Sequence, residues 1–350
     1  MPSLNLRSSG WIAIAFSISL LTNHLVLLLE YPVLKDCQQA DEHSQMPISS
    51  AIHQDSARRK KKTTFLWGIM STSSETDRIR RRTIRNTYLN YYYQNQNQTT
   101  ENPYRICSLS DLQKGLVPLD RCQIAYTFVI GANPNGYYDL VDHRENSSIP
   151  LTISKPISNP SNNANNIHQD IESDVTYLNI RENMNRGKTQ TWFLYATTVL
   201  EDWPFDYIAK VDSDTLLFPS KWFSFCDDVL NPFPYNKRVY GGVPIYKCGG
   251  KTRQHWQCRQ YLGETYMSGE LFFISSDVAR FITSPTLDRS RLQLDHEDVT
   301  MANFIHELPG PVNQVTIFRS QQLFQHGKEL KDPIQYQEHW NRWLAEHTSR

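Results

Sequence analysis

Residues 207–222 read YIAKVDSDTLLFPSKW. In this stretch a mainly apolar run, 207–211, is followed by two aspartates with one residue between them. The run before the aspartates has the length and composition of a buried strand. Asp212 and Asp214 therefore stand at a strand end, where carboxylates can hold a metal ion or simply cap a turn. A D-x-D triplet is expected about once by chance in a chain of this length, so the surrounding sequence has to decide between the two interpretations.

The segments around this stretch alternate between strand and helix patterns. Strand-like runs are TTFLWGIMST (63–72), QIAYTFVIG (123–131) and SDVTYLNI (173–180), and helical patterns cover 75–89 and about 189–200. Strands separated by helical lengths predict a largely parallel sheet in an α/β domain. Ligands of such sheets bind at the carboxyl ends of strands, which is where Asp212 and Asp214 lie.

The composition is that of a globular protein without a dominant charge. Of the 350 residues, 39% are hydrophobic and 12% aromatic, which is enough to bury a core. The 36 basic and 36 acidic residues balance, so no overall field attracts nucleic acid and we expect no nucleic-acid partner. A phosphate-bearing ligand would have to be bound by local groups.

An apolar run near the N terminus, residues 11–29, is just long enough to cross a bilayer. A cleaved signal peptide is the alternative, but no small-x-small cleavage pattern follows the run, which favours an uncleaved signal anchor. Arg7 precedes the run and Glu30 follows it, which predicts type II topology with a lumenal catalytic domain. The predicted organisation is a cytosolic tail (1–10), a transmembrane anchor (11–29), a stem (30–62) and a catalytic domain (63–350) with an Asn/Ser-rich insertion at about 145–170.

Six cysteines and two N-x-[ST] triplets, at Asn97 and Asn146, suit an oxidising lumenal compartment. Six cysteines allow many pairings, and sequence proximity alone favours the disulfides Cys107–Cys122 and Cys248–Cys258.

Two other uses of a strand-end aspartate pair fit poorly. An EF-hand loop needs a glycine at its sixth position, where this chain has Leu217. A phosphatase of the dehalogenase type also begins with strand-D-x-D, but its usual polar turn does not resemble TLLFPSKW. The D-x-D of nucleotide-sugar transferases holds Mg²⁺ or Mn²⁺ on the donor diphosphate and fits better. A turn cap without a metal stays open from these residues alone.

Further stretches resemble one known family. RRRTIRNTY (80–88), KVDSD (210–214), YMSGELFFISSDVARFI (266–282) and HEDVTMANFI (296–305) occur in the order seen in glycosyltransferase family 31, the β-1,3-galactosyltransferase and Fringe-like enzymes. ESDVTYLNIRENMNRGKTQTWFLYA (172–196) looks like the acidic strand and following helix of that family. The resemblance spans about 63–330. It departs from the family at Tyr88, where tryptophan is usual, and in EDVTMA, which lacks a common glycine.

The resemblance implies a GT-A fold, a UDP-sugar donor, a Mn²⁺ cofactor and inversion at the anomeric carbon. It assigns Asp298 as the general base that deprotonates the acceptor hydroxyl. Asp214 would be the main metal ligand, with Asp212 beside it and His326 completing the site. The residues expected at the nucleotide-sugar are Arg81, Arg85, Lys210, Asp212, Gly269 and Glu297. Trp256 and Tyr261 are hypothetical acceptor contacts, because aromatic faces stack on sugars.

These inferences predict a hexosyltransferase of the Golgi or endoplasmic reticulum membrane. It would move galactose, N-acetylglucosamine or N-acetylgalactosamine from a UDP-sugar to a glycan or glycoprotein, with a β-1,3 linkage implied by the resemblance. Two hypotheses from other classes compete: a catalytically silent, membrane-anchored lectin-like protein, and a lumenal metal-dependent phosphatase.

Overall fold

The structure is a computed structural model that describes residues 63–90, 106–133, 150–153, 172–183, 187–231, 234–245, 266–288 and 296–348. They belong to one unit, Lys60–Arg350. Several predictions lie outside the described residues: the tail, anchor and stem, the Asn97 and Asn146 triplets, the Cys248–Cys258 pair, and Trp256 and Tyr261. Within the described ranges, no helix is both long and apolar enough to cross a membrane.

The elements follow the predicted alternation of strands and helices. The strands are β1 (Phe65–Met70), β2 (Ile106–Ser108), β3 (Ile124–Gly131), β4 (Val175–Leu178), β5 (Tyr207–Asp212), β6 (Thr215–Leu217), β7 (Val239–Ile245), β8 (Tyr266–Ser275), β9 (Asn313–Thr316) and β10 (Phe324–His326). The α-helices are α1 (Glu75–Ile84), α2 (Leu109–Gln113), α3 (Lys188–Asp202), α4 (Pro219–Val229), α5 (Ser276–Thr283), α6 (Glu297–His306) and α7 (Pro333–Thr348). A π-helical turn, Arg85–Leu89, extends α1.

The main sheet is mixed, with strand order β2-β3-β1-β5-β8-β7-β9 and β4 also paired to β3. The pairs β1/β3 and β1/β5 are parallel, and β5/β8 is antiparallel. Met70 and Asp212 are register partners, so β1 and β5 end side by side. Because β8 runs in the opposite direction, its early residues lie at that same edge. The carboxyl end of β5 therefore lies beside Gly269 and Glu270 of β8, which directly precede Leu271, the register partner of Val211.

Helices cover both faces of the sheet. Successive side chains of a strand point to opposite faces, and in β1 both sets are apolar and buried. Phe65, Trp67 and Ile69 of β1 pack into one core cluster. Leu66 and Met70 pack into the other, together with Trp192 of α3. A Cβ at Gly68 would collide with the indole of Trp192, so the absent side chain is what lets α3 approach β1.

A small second sheet adjoins the aspartate pair. Strand β6, which starts directly after Asp214, pairs antiparallel with β10, and Thr215 lies opposite His326. Helix α7 packs against this strand pair, because the buried Tyr336 donates a hydrogen bond from its hydroxyl to the carbonyl of Thr215 at 3.0 Å. The residues after β10 thus fold back over the end of β5.

The predicted disulfide Cys107–Cys122 is confirmed. It links the middle of β2 to the residues just before β3. Within the Asn/Ser-rich insertion, residues 150–153 are described, and they run antiparallel to the end of β4 through the bridge Thr152↔Leu178. Cys226 is a buried free thiol in α4.

Candidate active site

Asp212, Asp214 and His326 converge at the carboxyl end of β5. One ligand atom from each lies within 4.8 Å of the others, and all three side chains are partly buried. Chain direction explains the arrangement, since β5 delivers the aspartates and the β6/β10 pairing carries His326 to Asp214. Two carboxylates and an imidazole are a donor set that fits a hard divalent cation such as Mn²⁺.

His326 is oriented by carboxylates on both ring nitrogens. Its Nε2 lies 3.4 Å from Asp214 Oδ1 and its Nδ1 lies 3.3 Å from Glu270 Oε2. The hydrogen bond to Asp214 raises the pKa of His326. Glu270 is in turn bound by Arg319, with an N–O distance of 2.6 Å. This carboxylate–histidine arrangement is the outer support common to metal-binding histidines.

Lys210 is the buried cation of the site. Its Nζ lies 2.6 Å from Asp212 Oδ1 and 2.7 Å from Glu297 Oε1, and it also donates to the carbonyl of Gly269. Burial opposes the charge of this ammonium, but the two carboxylates outweigh it and raise the pKa of Lys210. Thr189 Oγ1 donates to the other oxygen of Glu297 at 2.7 Å. Lys210 thereby joins β5, β8 and α6.

Asp212 carries an unfavourable charge in this setting. Burial raises its pKa to about 6, and the neighbouring Glu297 and Asp214 add to the shift although Lys210 opposes it. Asp214 behaves differently, because His326, Lys331 and Arg80 outweigh its burial and lower its pKa. The two carboxylates therefore differ: the neighbours of Asp214 compensate its negative charge, whereas those of Asp212 do not.

Asp298 lies in the first turn of α6, across Gly269 from Lys210. Its Oδ1 accepts a hydrogen bond from the Val299 amide at 2.8 Å. Burial raises the pKa of Asp298, and the charge of Glu297 reinforces the shift. A carboxylate with a raised pKa is a stronger base, which suits the predicted role. A Cβ at Gly269 would lie 3.7 Å from Asp298 Oδ2 and 3.6 Å from Lys210 Nζ, so the glycine leaves a gap between the two groups.

Arg81 and Arg85 are bound to carboxylates of their own chain. Arg81 pairs with Glu172 and donates to the Thr72 carbonyl at 2.6 Å. Arg85 grips Asp174 with two hydrogen bonds of 2.7 and 2.8 Å and reaches Glu172 at 2.6 Å. Their predicted contact with the nucleotide stays a prediction, and in the structure these arginines serve to attach α1 to the segment before β4.

The neighbouring Arg80, which the sequence prediction missed, reaches the aspartate pair. It donates to Ser213 Oγ at 3.3 Å and to the carbonyl of Lys331 at 2.6 Å. Asp77, one helical turn earlier, holds its guanidinium at 2.5 Å. The sequence does not distinguish Arg80 from Arg81 by this pairing, because Asp77 stands three residues before one and four before the other, and both spacings allow an ion pair on a helix. Glu270 and Thr189, which lie inside the quoted stretches 266–282 and 172–196, were also missed, as was Lys331, which lies outside them.

Residues 164–308 match the sequence model of the family described as Galactosyltransferase. This part of the chain is similar to the galactosyltransferase family. The match confirms the predicted resemblance to glycosyltransferase family 31 over these residues and supports a glycosyltransferase. The matched segment contains Asp212, Asp214, Gly269 and Asp298, whereas His326 and Lys331 follow it. No relative matches among curated proteins.

Two solved glycosyltransferases share remote similarity with the chain. One is a glycosyltransferase involved in the glycosylation of the major capsid of PBCV-1, with 8% identity, a TM-score of 0.33, and coverage of 80% of this chain and 99% of that one. The other is mouse xyloside xylosyltransferase 1 in its apo form, with 8% identity, a TM-score of 0.31, and coverage of 73% and 85%. At these scores neither likeness bears on donor, acceptor or mechanism.

Proposed function

We propose that this chain is an inverting hexosyltransferase that moves galactose, N-acetylglucosamine or N-acetylgalactosamine from a UDP-sugar to a hydroxyl of a glycan or glycoprotein. One observation carries the proposal. The ligand set of Asp212, Asp214 and His326 lies at the same sheet edge as Asp298, the carboxylate with a raised pKa, and Lys210 connects the two. The GT-A architecture and the β-1,3 linkage belong to the proposal through the family resemblance.

Asp298 acts as the general base. Its Oδ1 is held by the Val299 amide, and its Oδ2 faces the gap at Gly269. In the proposed reaction the acceptor oxygen attacks the anomeric carbon from the face opposite the diphosphate, the bond from that carbon to the diphosphate breaks, and the acceptor proton passes to Asp298. The sugar therefore inverts and UDP leaves.

Asp212, Asp214 and His326 would hold a divalent cation, which we propose is Mn²⁺. Such a cation stabilises the negative charge that develops on the leaving diphosphate. Glu270 and Arg319 keep His326 turned toward Asp214, and Lys210 keeps Asp212 in place. The chain thus supplies a pre-arranged set of ligands and a separate base.

We propose a Golgi or endoplasmic reticulum membrane location with the catalytic domain in the lumen. The disulfide Cys107–Cys122 supports an oxidising compartment. The membrane anchor at 11–29 is part of this proposal on sequence grounds alone.

The test is UDP release by the purified full chain across a panel of UDP-sugars, with Mn²⁺ or with EDTA. Asp214→Asn should lose metal binding and turnover together. Asp298→Asn should retain binding of Mn²⁺ and UDP while turnover falls by about 10²- to 10⁴-fold. Asp228→Asn, an exposed carboxylate on α4, is the matched control and should behave as wild type.

Each contrary outcome has a distinct meaning. Binding of UDP with no turnover on any donor and acceptor would favour a silent, lectin-like protein. Release of phosphate from a sugar phosphate, with no UDP-sugar consumed, would favour a phosphatase. Full activity of Asp298→Asn would remove that residue from the mechanism.

A further inference from the structure

A short turn after β10 brings a lysine to the metal-ligand set. Lys331 ends the 3₁₀ turn Lys328–Lys331, and its Nζ lies 3.9 Å from Asp214 Oδ2. Its side chain is 65% exposed, whereas that of Asp214 is 14% exposed. The ammonium thus approaches the carboxylate from the solvent side, and its long stem leaves it free to change partner.

The backbone of the same turn is firmly held. Leu330 is fully buried, and Arg80 donates to the carbonyl of Lys331 at 2.6 Å. The same guanidinium contacts Ser213, the residue between the two aspartates, at 3.3 Å. Arg80 therefore connects the backbone of Lys331 to the D-x-D turn and positions Lys331 beside Asp214.

The charge of a ligand bound at Asp214 determines whether the Lys331 ammonium is repelled from the site or attracted to it. A divalent cation bound to Asp214 would repel an ammonium 3.9 Å from the same carboxylate. An anionic group brought in with that cation would instead attract the ammonium and keep it at the site. A diphosphate is such a group, and lysine commonly binds phosphate as a point charge.

We propose that Lys331 is the diphosphate-binding lysine of this site, and that it leaves Asp214 for the donor diphosphate when the metal ligands are occupied. The inference rests on the proposed function. Arg81 and Arg85, the cations expected at the nucleotide, are already bound to Glu172 and Asp174. Lys331 is exposed and adjacent to the ligand set. Within the described residues, Asp214 is the one carboxylate with which it pairs.

The test is calorimetric titration of the full chain in three series: Mn²⁺ alone, UDP with saturating Mn²⁺, and UMP with saturating Mn²⁺. Lys331→Ala should bind UDP about tenfold more weakly, the loss of one charge-assisted contact. The loss should be smaller for UMP, which lacks the outer phosphate. The same variant should bind Mn²⁺ alone as tightly as wild type or a few-fold more tightly, because a competing cation is gone.

Two further variants complete the design. Lys328→Ala removes an exposed lysine of the same turn and should leave UDP binding within about twofold of wild type. Lys331→Arg should keep most of the UDP affinity, because a cation of similar reach remains. Equal unfolding curves for the variants would establish that the turn is intact.

The results separate the two proposals. If wild type binds UDP with Mn²⁺ and Lys331→Ala binds it equally well, the lysine assignment is wrong and the transferase proposal stands. If Lys331→Ala weakens Mn²⁺ and UDP binding alike, the residue has only a structural role. If wild type binds no UDP in the presence of Mn²⁺, both proposals are overturned.

Discussion

The Nζ of Lys210 lies 2.7 Å from Oε1 of Glu297, so a buried ammonium on β5 is bound to the first residue of α6. The same ammonium lies 2.6 Å from Asp212. The candidate metal ligands and the helix that carries Asp298 are therefore joined through one cation. The proposed displacement reaction requires a fixed distance between them, because the proposed base and the leaving group act on opposite sides of one carbon.

Replacement of Lys210 by methionine should strongly destabilise the fold. The side chain is 3% exposed, and its loss leaves Asp212 and Glu297 facing each other without compensation. Removal of one partner from a buried charge pair costs about 3–5 kcal/mol. Urea denaturation at pH 7 should show this fall in the free energy of unfolding.

The double variant Lys210→Met with Glu297→Gln tests whether charge, rather than shape, causes the loss. Glu297→Gln removes one of the stranded charges, so the double variant should recover part of the stability lost in Lys210→Met. A double variant no more stable than Lys210→Met would show that the packing of the lysine stem, and not its charge, matters.

Gly269→Ala should fold normally and lose activity. A Cβ at this position meets Lys210 Nζ and Asp298 Oδ2 at 3.6 and 3.7 Å, which are ordinary contact distances. The methyl group would occupy the gap that Oδ2 of Asp298, the proposed base, faces. We expect turnover at least tenfold lower with an unchanged unfolding transition. Gly115→Ala, at a position with open space but a φ of +69°, is the contrasting variant, which should lose some stability and keep activity.

The sequence predicted β5 and its two aspartates well, because a continuous apolar run followed by D-x-D depends only on neighbouring residues. His326 is far from Asp214 in the chain, and only the family resemblance suggested it. The structure brings the two together through the pairing of Thr215 with His326. That contact depends on the pairing of two strands that are distant in the chain, which no local pattern encodes.

The arginine motif shows a second limit. The helix at 75–89 was predicted, but adjacent residues on a helix point about 100° apart. Arg80 consequently reaches Ser213 while Arg81 binds Glu172. Three consecutive arginines do not show which of them faces the site, since this depends on how α1 rotates against the sheet. Glu270 and Lys331 were missed for a similar reason, because their importance comes from tertiary contacts alone.

The pH dependence of turnover should report Asp298. Burial raises the pKa of this carboxyl, and a base is active only after it has lost its proton. With saturating Mn²⁺ and donor, activity should therefore rise with pH and level off above a midpoint higher than the usual value for aspartate, about 3.9. The residual activity of Asp298→Asn should lack this acidic limb. An identical limb in Asp298→Asn would assign the titration to another group.

Glu172 should make the stability of the fold sensitive to acid. Burial opposes its ionisation, but Arg81 and Arg85 outweigh burial and lower the pKa of Glu172. A carboxyl with a lowered folded-state pKa stabilises the fold fully above its unfolded pKa, about 4.3, and the benefit disappears as the pH falls through the folded value. Glu172→Gln should therefore reduce the free energy of unfolding by about 2 kcal/mol at pH 7.

The difference between Glu172→Gln and wild type should shrink as the pH falls below about 4, because a protonated glutamate resembles glutamine in charge. Denaturation curves at several pH values would measure it. Glu75→Gln is the matched control. Glu75 pairs with Arg78 at 2.6 Å on α1, the helix that also carries Arg81, but both side chains are largely exposed. That variant should stay close to wild type at every pH, because water and salt screen an exposed pair. A stability difference for Glu172→Gln that is constant from pH 7 to pH 3 would mean that the side chain stabilises the fold by packing and not through its charge.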